Sequence, residues 1–249
     1  MAIYDVNGNM ISTGGGAPSR GISPVFFSQQ LIAHKGGNSG TANTIANFQA
    51  AITAGYKMVE CDVRFTSDKV AVLSHDASFS VDGTTYTIAS NTYADLVAVK
   101  PTLATLADLL ILCKKNGVVV ECDFSKTYTT EQCGILYSLI KKANMTRQTM
   151  ITTYATPIRT LLGLDANLIV CVSGVTTTSG VDDVADIFAA AAYAGVSTEY
   201  SSGFQQSFVE YVHSKGGFSK PWTVNNATTV GTLWGYGVDY IITDSVLPS

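Results

Sequence analysis

The chain reads as an α/β fold, a parallel sheet covered by helices with a short hairpin ahead of it. Three observations carry that reading. From Leu31 onward, short apolar runs alternate with amphipathic stretches, the order that successive βα units produce. Eight apolar runs read as strands, near 31–34, 57–63, 118–123, 149–154, 168–172, 196–200, 218–224 and 238–243. Helical stretches such as 44–54, 105–116 and 130–143 fit between them, with Gly55 and Gly117 as C-terminal stops. Eight strands suit a (β/α)8 barrel, and the same alternation suits a doubly wound open sheet, so periodicity leaves both open.

The elements before Leu31 differ. Ile3 to Val6, the turn Asn7-Gly8 and Asn9 to Ile11 predict a hairpin, and Gly14-Gly15-Gly16 forms a flexible link. An isolated two-stranded hairpin is marginal in water, so it is expected to dock on the main domain, a second copy or another protein. The expected division is an extension over 1–30 and a main domain over 31–249.

Composition narrows the function. With 249 residues and 46% hydrophobic content the chain can bury a large core. Its 19 acidic and 15 basic residues include no basic tract, which argues against nucleic acid as a partner. The five cysteines form no CxxC pair and read as reduced, packed thiols. Neither a signal-peptide profile nor an apolar run of membrane-spanning length is visible. The expectation is a soluble protein of a reducing compartment, cytoplasmic or tied to a phage or cell-surface assembly through its hairpin.

One segment breaks the alternation. After Val59-Glu60-Cys61-Asp62-Val63 a polar turn at Thr66 to Lys69 leads into Val70 to Asp76. A turn centred between Ser67 and Asp68 predicts an antiparallel return that sets His75 opposite Glu60 and Leu73 opposite Asp62. Glu60 and Asp62 stand two apart on a strand and point to one face, roughly 7 Å from each other. Paired carboxylates among apolar neighbours need a compensating charge, and a hard divalent cation is the economical one. Val-Glu-Cys-Asp recurs at Val120 to Asp123, again at an apolar strand end, which suggests that acidic strand ends line one cavity. Of three histidines, His34 ends the first strand and His75 the return, and together they suit an acid and base pair. His213, in a helical pattern, reads as a surface residue.

These residues carry a family resemblance. His34-Lys35-Gly36-Gly37, Ala42-Asn43-Thr44, Glu60-Cys61-Asp62, His75-Asp76, Pro101-Thr102-Leu103, Trp222-Thr223-Val224-Asn225 and Gly237 to Asp244 follow one another as do the motifs of the glycerophosphodiester phosphodiesterase family. The ordered set, which the chain resembles from about 31 to 245, implies a (β/α)8 TIM barrel in place of the open sheet. It implies His34 and His75 as general acid and base, and Glu60, Asp62 and Asp123 as ligands of a divalent metal ion, Ca or Mg. Lys35, Ser125 and Trp222 are the expected substrate-binding residues.

The chain also departs from the pattern. Lys35 stands where the family has Arg, and it offers a point charge in place of a bidentate clamp. Ala42 replaces an acid, and aligning Asp123 with the Glu of Glu-x-Lys puts Ser125 in the Lys place. An Asp ligand there resembles the related sphingomyelinase D branch. The implied function is metal-dependent hydrolysis of glycerophosphodiesters or related lipid or teichoic-type diesters. The alternative is a catalytically weak barrel that binds phosphodiesters or glycans within a larger assembly.

Overall fold

The computed structural model describes residues 3–4, 10–12, 23–124, 128–200 and 204–248. Eight parallel strands close a barrel: β1 (Gln30–Ala33), β2 (Met58–Phe65), β3 (Val119–Phe124), β4 (Thr149–Thr153), β5 (Ile169–Ser173), β6 (Tyr193–Glu199), β7 (Phe218–Trp222) and β8 (Tyr240–Thr243). The ladder runs in chain order from β1 to β7, with β8 beside β1. Val224 N–H donating to Ile242 O at 2.9 Å, and Asp239 N–H to Ser219 O at 3.3 Å, bring β7 against β8 and close the ring. The strands lie where the sequence predicts them, within a few residues.

Helix boundaries follow from local chemistry. α1 (Ile45–Thr53) starts on Thr44, whose hydroxyl accepts from Asn47 N–H. α2 (Leu106–Asn116) opens with a capping box between Thr105 and Asp108, and Gly117 ends it at φ 67°, a conformation only glycine adopts cheaply. A second capping box, Thr129 with Gln132, starts α3 (Thr130–Lys142).

Alternation along the strands divides the core. Outward residues such as Val59, Cys61, Val120 and Cys122 pack beneath the helices. Inward residues Met58, Val119, Met150, Ile169, Phe218 and Tyr240 fill the lumen at its N-terminal end. Phe26, in the turn Pro24–Phe27, is 1% exposed and plugs that end, its ring edge-on to Tyr240 with centroids 6.4 Å apart. Tyr240 Oη donates to Phe26 O at 2.5 Å. Gly195 is needed here, because a Cβ would lie 2.2 Å from Phe218 O. All five cysteines are buried and free of disulfides. Among the described residues no helix is long and apolar enough to cross a membrane.

The N-terminal hairpin pairs Ile3 with Ser12 and Tyr4 with Met10, while its Asn7-Gly8 turn and the glycine link lie outside the described residues. The return beside β2 is real, but its register differs by one residue from expectation. Val63 pairs with Leu73 and Phe65 with Ala71. The turn closes by Thr66 N–H to Val70 O and Lys69 N–H to Thr66 O, with Lys69 at φ 66°, which centres it on Asp68. Asp68 is held there by the Thr66 hydroxyl at 2.5 Å and Tyr93 N–H at 3.0 Å. The returning strand ends at Leu73, one further bond from Ser74 N–H to Asp62 O at 3.0 Å ties it to β2, and His75 follows in a bend.

Candidate active site

β1 runs into a tight turn in which Lys35, Gly36 and Gly37 have φ of 53°, 88° and 79°. A Cβ on Gly36 would meet Asn47 Nδ2 at 2.8 Å, so glycine lets the turn press onto α1. Asn47 donates to the Lys35 and Gly37 carbonyls at 3.1 and 2.8 Å. The turn aims Lys35 N–H at Glu60 Oε2, 2.8 Å away. Lys35 thus meets the acids first through its main chain, and its ammonium also helps hold down the Asp123 pKa.

Glu60, Asp62 and Asp123 converge at the mouth. Asp62 and Asp123 are register partners on neighbouring parallel strands. Asn43 brackets Asp62, donating to Oδ2 at 2.7 Å and accepting from Asp62 N–H at 3.1 Å. Burial, then the charges of Asp62 and Asp123, push the Glu60 carboxyl well above its usual range. Burial, then Asp62, push Asp123 up to about 7. Carboxylates crowded in a desolvated lumen favour any cation that can join them.

Along the chain His34 precedes these acids and His75 falls between Asp62 and Asp123. His34 Nδ1 lies 2.7 Å from Asp244 Oδ1, and Asn225 fixes Asp244 by donating to Oδ2 at 2.7 Å and accepting from its N–H at 2.8 Å. Burial pulls the His34 pKa below its ordinary value, and the bond to Asp244 opposes this. His75 is the more exposed of the two, with Nδ1 2.8 Å from Asp76 Oδ1. The Arg64 guanidinium grips the His75 carbonyl at 2.5 and 3.0 Å.

His34, Glu60, Asp62, His75, Asp123 and Trp222 line one cavity of about 330 Å³. Tyr154 and Ser173 complete its far wall. Trp222, 40% exposed, stands at the rim. Ser125 lies outside the described residues.

Several residues escaped the sequence reading. Asp244 and Asn225 fall inside quoted motifs, but nothing local marks them as the support of His34. Glu121, level with Glu60 on the next strand, was signalled by the repeated Val-Glu-Cys-Asp, yet only its Asp was singled out. Lys220 was visible as a lysine on an apolar strand and is completely buried. Its ammonium contacts Glu121 Oε1, which also accepts from Thr152 Oγ1 at 2.6 Å. Glu121 Oε2 is buried with no hydrogen-bond partner.

In donor chemistry the residues fit a hard divalent cation, with carboxylate oxygens, unrelieved repulsion and an orphan buried oxygen in one place. In spacing, no three His, Cys, Asp or Glu side chains among the described residues already surround one point.

Comparison with known proteins agrees with the geometry. The chain is similar over its barrel to a putative glycerophosphoryl diester phosphodiesterase from Silicibacter pomeroyi DSS-3 at 18% identity, covering 88% of this chain and 90% of that one with a TM-score of 0.75. A phosphodiesterase from Oleispira antarctica, solved with the product sn-glycerol-3-phosphate, matches at 18% identity, 88% and 94% coverage and a TM-score of 0.74. At these identities the likeness establishes the fold. A lysophospholipase D from Rattus norvegicus is 43% identical over 53 residues, a stretch covering 21% of this chain and only 17% of that relative. The model of the Glycerophosphoryl diester phosphodiesterase family matches residues 34–247, from His34, just past the first strand, to the segment that follows the last. The chain belongs to the glycerophosphoryl diester phosphodiesterase family.

Proposed function

We propose that this barrel hydrolyses glycerophosphodiesters at the mouth cavity, with His34 and His75 as general base and acid. The observation that supports this reading is the convergence of both histidines and three carboxylates on one cavity. With Nδ1 of His34 committed to Asp244, Nε2 is left to accept the proton of the attacking hydroxyl or water. The lowered pKa of His34 favours the neutral form that a base requires. His75, more exposed and braced by Asp76 and Arg64, donates its proton to the departing alkoxide, a poor leaving group at neutral pH when unprotonated.

Glu60, Asp62 and Asp123 would hold the divalent ion, Ca or Mg. Such an ion, when bound, neutralises phosphoryl charge and lowers the pKa of a coordinated hydroxyl. Lys35 steadies the phosphate and Trp222 gives an apolar wall to the leaving group; Ser125 is a substrate-binding candidate from the family resemblance alone. The local likeness to a lysophospholipase D supports testing lysophospholipids alongside simple head-group diesters. The N-terminal hairpin serves as an attachment device, whereas Phe26 and Gln30, placed with it in the expected extension over 1–30, belong to the barrel, so deleting 1–16 leaves turnover of a small diester unchanged while altering assembly state.

Phosphorus NMR of the protein with glycerophosphocholine, a lysophospholipid and teichoic-acid fragments, each with and without chelator, tests the reading. The expected result is release of a phosphomonoester or cyclic phosphate that stops in chelator. Full turnover in excess chelator sinks the metal role. Binding of a diester without turnover favours the alternative, a binding module that keeps the fold.

A further inference from the structure

The lumen below the mouth contains a charged group that the proposed chemistry does not use. Among the described residues, Lys220 is the only cationic side chain that is fully buried. It crosses from β7 to meet Glu121 Oε1 on β3 and Thr152 Oγ1 on β4, the latter at 3.0 Å. Glu121 and Glu60 are register partners, as are Asp123 and Asp62, so four carboxylates enter the lumen from two adjacent strands. An ammonium taken out of water costs several kcal/mol, more than its packing repays, unless it offsets charge that is also buried. The ammonium meets one oxygen of Glu121 and the Thr152 hydroxyl, and its charge also acts on Glu60, while the other Glu121 oxygen, Oε2, has no hydrogen-bond partner.

We propose that Lys220 is a built-in counter-ion and positioning residue: it offsets one of the four lumen carboxylates, so that the mouth takes up one divalent cation and still admits an anionic diester. This rests on the hydrolase reading, and it makes a distinct claim about charge. Four carboxylates with one divalent cation and no lysine would leave the cavity strongly negative, and a phosphodiester would be repelled. Burial lowers the Lys220 pKa to about 7 while the charge of Glu60 opposes this, and in its protonated form the lysine lowers the excess by one unit. A charge a few Å away acts on cation and anion with opposite signs, so the lysine weakens metal binding and strengthens anion binding together.

The test is calorimetric titration of the full chain with Ca, then with inorganic phosphate at saturating Ca, compared across Lys220→Met, Glu121→Gln and the double variant. Lys220→Met is expected to bind Ca at least about tenfold tighter and phosphate several-fold weaker, and Glu121→Gln to bind Ca at least about tenfold weaker. The double variant returns both affinities to near the starting values, a coupling that separate structural damage does not produce. Affinities within twofold of the parent in Lys220→Met, or a loss of both together, overturn the proposal. If Lys220→Met does not fold, the remaining pair decides: Ca binding no weaker in Glu121→Gln than in the double variant overturns it. Because the readout is binding, absence of turnover on every diester refutes the hydrolase reading without touching this one.

Discussion

The two ends of the barrel are built from the same eight strands and the same alternation of side chains, yet they are filled in opposite ways. At the N-terminal end, Phe26, Met58, Phe218 and Tyr240 interlock, and the one polar atom of this group, Tyr240 Oη, is satisfied by a backbone carbonyl. Two to four residues beyond the inward Met58 and Val119 on β2 and β3, Glu60 and Asp123 carry raised pKa values and Glu121 keeps an unpartnered oxygen. Stability is concentrated at the closed end, and the unfavourable electrostatics is confined to the open one. Acids so placed are tolerable because the apolar layer beneath them is complete.

The sharpest way to break this division is at the mouth. His34→Ala or His75→Ala is expected to lower kcat by about 10²–10⁴ while the thermal midpoint stays within a few degrees, measured by steady-state kinetics and calorimetric melting. The converse is Phe26→Ala, which should lose about 3–5 kcal/mol of stability in denaturant melts and leave kcat of the surviving folded protein unchanged. If Phe26→Ala lowers kcat without destabilising, the two ends are not independent.

A subtler probe is Asp244→Asn. It removes the carboxylate charge and, because Asn225 needs the remaining oxygen as its acceptor, turns an amide N–H toward His34 Nδ1, with an expected loss on the order of 10²-fold or more in kcat. The sign on pH is also set. Asp244 raises the His34 pKa against burial, so its loss lets that pKa fall further, and the acidic limb of kcat/KM moves to lower pH. A limb that moves upward, or stays fixed, removes His34 as the base.

The smallest effect lies away from both ends. His213, half-buried on the helix Gln206–Ser214, pairs through Nε2 with Asp239 Oδ2 at 2.9 Å, and Asp239 also accepts from Ser219 N–H at 2.8 Å. Burial lowers the His213 pKa, but the bond and charge of Asp239 outweigh it and the net shift is upward from 6.5. A raised folded pKa means the stabilisation is complete below 6.5 and lost as pH climbs through the folded value. Between pH 6 and 8 the thermal midpoint should fall by about 2–4 °C, and His213→Gln should abolish that dependence.

How much of this was legible depended on range. Strand positions, the capping threonines and Gly117 are decided by neighbours in sequence, and the sequence analysis places them within a few residues. The convergence of His34, Glu60, Asp62, His75 and Asp123 was legible because strand ends of a barrel share a mouth. The register of the β2 return missed by one residue, because Asp68 gathers bonds from Thr66 and from the distant Tyr93, which centres the turn on itself. His213 was expected at the surface because its partner Asp239 comes from another element. Lys220 on β7 meets Glu121 on β3 across 99 positions of chain, a separation over which local pattern is silent.

The bond between His34 and Asp244 joins residues 210 positions apart, one leaving the first barrel strand and the other just past the last. During synthesis the histidine emerges early and waits for nearly the whole barrel to be translated before its aspartate exists. Contacts of such long range form late in folding. A chain still on the ribosome therefore carries His34 without its brace, and the pair forms only once the final strand is in place.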